Sequence, residues 1–502
     1  MRNSRHRKPS SSGLAADALG RFDTVVMAVA GSAPAYSLAA TTTALIATVG
    51  VASPAALLWC AIPMLGIAFA FNYLGRLDVN AGASYSWVAR ALHPALGFLS
   101  GWALVVSTTV FMVAGSLPAG SATLSLFSAD LASNTVLATA VGAGWFLLMA
   151  GFVALGVRIS AHAQWVMTGI EVVILLVVGV AAIAKGGVGL AFDWSWLGFG
   201  HFDGAKGFAA GALLAAFYFW GWDVTANLSE ETRNSRRTSG AGGLIGVVTS
   251  FLIFEVITIA VNTVLTAKQI NGAETDVLTL LGNAVFPGWG GKAMVVAVML
   301  STIATLETTL IQVTRSLFAM GRDHTIPAVF GRAHTTRQTP WVATGAVAVV
   351  ALLLFIGSNA LGSVGTIMSS ALSAIGLQIC VYYTLAGLAV VVAYRKLLLR
   401  STANFVFIGA WPLSGAVFMG WVFFESIPEL DSTTLAVGLG SLAAGLVPLA
   451  VYWSRGSAYY RGAARLDAAV AEEMDARYST GLEDLPAVSP TADREGGMLT
   501  DF

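Results

Sequence analysis

Long apolar runs follow one another along this chain, and runs of that length leave few folds open. Each is roughly 18 to 30 residues, enough to cross a hydrocarbon core as a helix. Once a backbone enters lipid, a helix is the natural form, because it satisfies its own N–H and C=O groups. Of the 502 residues, 56% are hydrophobic and 11% are charged, against about 25% charged in globular proteins. The expected fold is an all-α polytopic membrane protein.

Twelve spans are expected, at roughly 23–50, 55–74, 95–124, 134–154, 163–184, 208–230, 241–265, 290–320, 341–357, 363–393, 403–424 and 433–453. The basic residues set the orientation. With the N-terminus inside, all 21 arginines fall in cytoplasmic segments or at cytoplasmic helix ends. Only Lys185, Lys206, Lys268 and Lys292 fall on the other side. That separation supports an even number of spans with both termini cytoplasmic, in the cell (plasma) membrane. Residues 1–20 then form a basic cytoplasmic tail, not a cleaved signal. Residues 454–502 form a second tail, polar and partly disordered, with a short amphipathic helix around Ala463 to Tyr478.

Two spans carry interruptions. The first contains Gly31-Ser-Ala-Pro-Ala35, where Pro34 removes a backbone donor and collides with the preceding turn. A plain proline kink is the alternative. The second is Phe217-Tyr-Phe-Trp-Gly-Trp-Asp223, which places Gly221 and a bare carboxylate within a span. Breaks in spans 1 and 6 are what an inverted repeat of five plus five helices predicts, and such breaks frame the substrate sites of secondary transporters.

No Lys or Arg is expected deep in a span, yet Glu171, Asp223, Glu255 and Glu307 are. Charge at that depth is retained where it faces protein or water, and a desolvated carboxyl can carry a proton. Asp223 suits a transport role or a structural hydrogen-bonding one. Glu171 suits proton coupling. Glu307 sits in the run Ser301 to Thr309, whose hydroxyls could simply hold it. Glu255, among aliphatics, reads as a neutral structural acid. Phe217, Phe219, Trp220 and Trp222 could each be packing, but their concentration at a break favours a lid, and ring faces attract ammonium groups. Trp194, Trp196 and Trp289 read as interfacial. Cys60 and Cys380 lie in apolar runs, and the six histidines lack metal-ligand spacing. No nucleophile–base pair or nucleotide-binding loop appears, so neither an enzyme nor ATP-driven transport by this chain alone is expected.

Three segments resemble the amino acid–polyamine–organocation permeases. They are Gly75 to Arg90 with Gly97-Phe-Leu-Ser-Gly-Trp102, Phe217 to Asn234, and Thr305 to Pro340. The likeness covers roughly residues 20–455. It implies a first repeat at 21–200, a second at 201–400, and two added helices at 401–453. Spans 1, 2, 6 and 7 would rock against 3, 4, 8 and 9. Substrate would lie between the breaks, its carboxylate on span 1 N–H groups and its amine on span 6 carbonyls. The implied contacts are Gly31, Ser32, Ala33, Ala35, Tyr36, Phe217, Phe219, Trp220, Gly221, Trp222 and Asp223, with Phe217 as the gating aromatic. The first break departs from the family's glycine-serine-glycine signature. Pro34 offers no N–H, so a polyamine or a decarboxylated amino acid stays open as cargo. The family's proton-coupling lysine of span 5 is replaced, near its place, by Glu171. Coupling is expected through Glu171 and Glu307, by protons in preference to sodium, for which Ser301, Thr302 and Thr305 could supply oxygens. The expected function is proton symport of an amino acid or related amine, with an exchanger as the alternative and a ligand sensor as a remote one. Partners are the small substrate and the bilayer, with no nucleic acid, metal or cofactor, and an open oligomeric state.

Overall fold

The computed structural model describes residues 12–272, 277–358, 364–462 and 466. Within them there are helices and no strands, only an isolated bridge between Leu19 and Thr232. The helices used below are α1 (Arg21–Ser32), α2 (Pro34–Val49), α3 (Ser53–Leu77), α4 (Ser84–Ala91), α5 (Pro94–Ser125), α6 (Thr135–Leu155), α7 (Val157–Lys185), α8 (Gly204–Tyr218) and α9 (Val224–Asn227). They continue with α10 (Ser235–Val264), α11 (Gly290–Arg322), α12 (Trp341–Ser358), α13 (Val364–Ala393), α14 (Trp411–Ser426), α15 (Ser432–Ala444), α16 (Leu446–Ser454) and α17 (Ala458–Gly462).

Helices stand at every place where a span is expected. By length and composition, however, the described residues hold 10 candidate spans, not twelve. Arg21–Leu77 counts as one because α1, α2 and α3 follow almost without interval. The expected sixth span is divided between α8, of 15 residues, and α9, of 4, so neither piece crosses alone.

Helix α11 is the axis. Every residue from Ser301 to Gly321 is buried, so the helix is enclosed all round. It packs against α5, α6 and α7 on one side and against α1, α2 and α9 on another. Helices α12 and α14 leave Leu353, Ile356, Val417 and Phe424 exposed, as surfaces meant for lipid. Trp194 and Trp289 are also exposed, whereas Trp196 is buried with its ring against Phe192.

The arginine-rich end is tied across the bundle. The Ala18 and Leu19 N–H groups donate to the Glu231 carbonyl, and Arg233 N–H donates to Leu19. Arg315 Nε and Nη2 grip both Glu231 oxygens at 3.0 and 3.2 Å, with both side chains fully buried. Arg322 does the same for Glu230 at 3.0 and 3.2 Å, and Glu230 also accepts from Ala81 N–H. Two-point guanidinium–carboxylate contacts fix orientation as well as charge. Just beyond α11, burial raises the Asp323 carboxyl above its ordinary range, while the neighbouring Arg322 guanidinium acts in the opposite direction. The start of the second tail is packed, not loose: Tyr459 stacks on Tyr85 with centroids 5.0 Å apart, and Leu466 N–H donates to the Arg90 carbonyl. The amphipathic helix expected at 463–478 lies outside the described residues, apart from Leu466.

Candidate functional site at two helix breaks

Helix α1 stops at Ser32 because Ala33 takes a left-handed conformation, φ 47° and ψ 65°, and α2 restarts with Pro34 in its first turn. Proline there is favourable, since its missing N–H would have no helical partner. The other break runs from Phe219 to Asp223 between α8 and α9, with Gly221 at φ 91°. The two breaks touch. A Cβ on Gly31 would collide with the Gly221 carbonyl, and one on Gly221 would collide with the Gly31 carbonyl. Only glycine allows two backbones to meet at that distance.

The start of α2 has its donors taken. Ala35 N–H donates to Glu171 Oε1 at 2.8 Å, and Tyr36 N–H donates to Ser301 Oγ at 3.1 Å. Ser37 N–H returns to the Ala33 carbonyl. Pro34 has no N–H, so the first turn of α2 holds no backbone donor without a partner. Thr305 Oγ1 donates to the Gly31 carbonyl, which ties α1 to α11.

Four rings pack together beside the breaks. Tyr36 meets Phe111 edge-on at 5.7 Å and Phe217 at 6.3 Å, while Trp220 lies 5.3 Å from Phe111 and 6.4 Å from Phe217. Phe217 is 8% exposed, the most open of the four. The C-terminal ends of α1 and α8 fall here, and each carries the negative pole of its helix dipole. Rings and carbonyl ends together suit a positive group.

Asp223 faces another way. Gln312 Nε2 donates to its Oδ2 at 2.8 Å, Tyr382 OH donates to Oδ2 at 3.1 Å, and Tyr383 OH donates to Oδ1 at 3.1 Å. Trp220 Nε1 donates to Tyr382 OH, so the shell reaches back to the aromatic box. Trp222 lies over Tyr383 and gives its Nε1–H to the Phe219 carbonyl, and Phe219 turns toward Phe251 and Phe254 on α10.

The structure therefore brings together Gly31, Ser32, Ala33, Ala35, Tyr36, Phe217, Trp220, Gly221, Glu171 and Ser301. It sets Phe219, Trp222 and Asp223 in a layer behind them. Thr302 spends its hydroxyl on the Val298 carbonyl, and Glu307 meets Gln164 one level toward the arginine-rich end. Neither oxygen of Glu255 has a hydrogen-bond partner. Sequence reasoning missed Phe111, Gln164, Gln312, Tyr382 and Tyr383. The glutamines could have been noticed as uncharged polar groups at membrane depth. Among the described residues, no three His, Cys, Asp or Glu side chains converge on a metal position.

At the end opposite the arginines, a cavity of about 380 Å³ lies between Ile46–Val51, Val188–Leu190 and Asn262–Asn271. The two ends differ in closure: one is laced by ion pairs, the other holds this cavity.

A sequence model of the family described as amino acid permease matches residues 19–439. The chain is similar to the mitochondrial cationic amino acid transporter 3 of Arabidopsis thaliana, 24% identical over 339 residues, or 63% of this chain and 54% of that one. It is similar to the low-affinity putrescine importer PlaP of Escherichia coli (strain K12), 23% identical over 422 residues, or 79% and 85%. It is also similar to the methylthioribose transporter of Bacillus subtilis (strain 168), 24% identical over 389 residues, or 72% and 78%. The chain spans about half the length of the plant cationic amino acid transporters it matches.

Proposed function

The chain belongs to the amino acid permease family, and from that premise we propose that it is a secondary permease for an amino acid or a related amine. It binds its cargo between the two breaks and moves it by alternating access, coupled to protons through Glu171. The arginine-rich end faces the cytoplasm, in accord with the positive-inside rule.

The observation that carries this reading is the pairing of Glu171 with α2. A buried carboxyl from α7 holds the first free N–H of the half-helix that frames the site. Gaining or losing its proton alters that hold, and with it the position of α2 relative to α7. A coupling group must act on the element that moves, and this one does.

The same contact supports an amine as the recognised group. A carboxylate would seek the donors at the start of α2, but Glu171 and Ser301 occupy them and Pro34 has none. An ammonium finds the Tyr36, Phe111, Phe217 and Trp220 rings and two helix C-termini. Resemblance to a putrescine importer agrees with this, and resemblance to cationic amino acid transporters keeps a charged amine in view.

The test uses proteoliposomes with an imposed inward proton gradient. Putrescine and ornithine are compared, because they differ by one carboxylate, with methylthioribose as a cargo lacking an amine. Gradient-driven uptake is expected with putrescine preferred over ornithine, and Glu171→Gln is expected to remove the dependence on the gradient. Preference for methylthioribose would overturn the amine reading. Transport that ignores the gradient and needs preloaded substrate would make the chain an exchanger.

A further inference from the structure

Helix α7 presents Ser160, Gln164, Thr168 and Glu171 at steps of four, four and three residues, which places them on one face. All four are buried, the most exposed being Thr168 at 4%. The face meets α11. Gln164 Nε2 donates to the Ala304 carbonyl and to Glu307 Oε2, both at 2.8 Å. Seven residues further along α7, about 10 Å, Glu171 stands beside Ser301 and Ala35.

Five polar atoms along this seam are buried without a hydrogen-bond partner: Ser160 Oγ, Glu307 Oε1, Gln164 Oε1, Thr168 Oγ1 and Glu171 Oε2. Orphaned groups of this kind are ordinarily served by ordered water, which needs two to four polar neighbours, and here they form a row. The row begins at Ser160, one turn inside the arginine-rich end, and finishes at the helix breaks. A row of hydroxyls, an amide and two acids is what a proton relay at membrane depth requires.

We propose that the seam between α7 and α11 is a hydrated proton path, in which Glu307 accepts the proton that Glu171 releases and passes it by Ser160 to the cytoplasmic end. The inference rests on the reading of Glu171 as the coupling group. In each turnover the Glu171 Oε2–H bond breaks and its proton moves over the Thr168 hydroxyl and intervening water. A new O–H bond forms at Glu307 Oε1. The carboxylate left behind keeps the Ala35 N–H. Gln164 is a positioning residue: its Nε2 fixes Glu307 Oε2, which leaves Oε1 turned to the path.

Among the charged groups on elements packed around the seam, Glu255 on α10, which packs against α7, has no hydrogen-bond partner on either oxygen, and three others are already engaged. Arg315, eight residues along α11, is paired with Glu231. Asp223, across α11, is held by Gln312, Tyr382 and Tyr383. Asp23 on α1 accepts from Gly20 N–H and from Trp165 Nε1. None of them hydrogen-bonds Glu171 or Glu307.

The full chain is tested in proteoliposomes holding a pH-sensitive dye, with putrescine and ornithine as probes. Thr168→Val keeps the shape and removes the hydroxyl. It is expected to slow proton-coupled net uptake about a hundredfold, the lower end for loss of a positioned proton carrier, while slowing labelled-for-unlabelled exchange much less. Glu307→Gln should slow net uptake at least as much, and Glu307→Asp should recover part of the rate. If Glu307→Gln does not reconstitute, Thr168→Val decides alone. Thr168→Val and Glu307→Gln taking up protons at the wild-type rate, in a protein where Glu171→Gln does not, would overturn the path and leave Glu171 standing. Equal slowing of net uptake and exchange would make the seam structural and also overturn it. A wild type that moves substrate without protons would remove both readings.

Discussion

Asp223 and Glu171 are both buried acids at a helix break, and their surroundings could hardly differ more. Three side chains from α11 and α13 donate to Asp223, so both of its oxygens are served. Glu171 has one backbone donor on Oε1 and none on Oε2. A carboxylate with both oxygens held by donors from neighbouring helices is a joint between helices. One with a free oxygen keeps the capacity to take up and release a proton. The contrast assigns different work to two groups that look alike in sequence.

Asp223→Asn is the substitution that should cost most stability among those that probe this contrast. The amide must point an N–H₂ group at either the Tyr383 hydroxyl or the Gln312 and Tyr382 pair. Hydrogen bonds to a charged acceptor are lost, and the hydroxyl or amide that meets the new N–H₂ must turn from donating to accepting. The expected destabilisation is about 2–3 kcal/mol, read from chemical unfolding in mixed micelles. A change near zero would mean that the shell repacks freely and that Asp223 is no joint.

The breaks themselves were legible in sequence, and the shell around Asp223 was not. Pro34 and Gly221 act on their own backbone, so their effect is local and needs no knowledge of the fold. Gln312 reaches Asp223 from 89 residues away, and Tyr383 from 160. Neither has a mark of its own beyond polarity inside an apolar run. The same is true of Glu231 and Arg315, which read as ordinary charges at helix ends. Only the meeting of α11 with the α9 turn makes them a fully buried pair. The α7 stripe lay between these cases. Its spacing of four, four and three residues was visible, but which helix it faces was not. Most span ends came within about four residues because hydrophobicity sets them, although α7 and α10 each begin six residues before the expected start. The division of the sixth span shows the limit of that signal, because the break shortens α8 to 15 residues without changing its composition.

Tyr383→Phe sharpens the comparison from within the shell. Tyr383 is the side chain that serves Asp223 Oδ1, whereas Oδ2 has both Gln312 and Tyr382. Removing the hydroxyl leaves one oxygen in the condition of Glu171 Oε2. About 1 kcal/mol should be lost, less than for Asp223→Asn because the charge and two donors persist. The same variant combined with Asp223→Asn should cost less than the sum of the two, since both act on one interaction. Strict additivity in that double-mutant cycle would show that Tyr383 stabilises by its ring stacking with Trp222 instead.

Glu171→Gln should change stability least, within about 0.5 kcal/mol of wild type, although it is expected to abolish coupling. The amide oxygen can still accept from Ala35 N–H, so the contact to α2 survives. The new N–H₂ occupies the place of Oε2, which accepts no hydrogen bond, and the neighbouring Ser301 hydroxyl can turn to accept from it. An amide also copies the shape of a protonated carboxyl, so the packing of α7 on α11 is unchanged. Under the proposed coupling, removal of Asp223 costs stability and removal of Glu171 costs function, since the Glu171 O–H bond breaks and re-forms in every cycle while the bonds to Asp223 do not. Chemical unfolding of Glu171→Gln beside Asp223→Asn measures that separation directly. A loss for Glu171→Gln as large as that for Asp223→Asn would make both acids structural and end the distinction between the two regions.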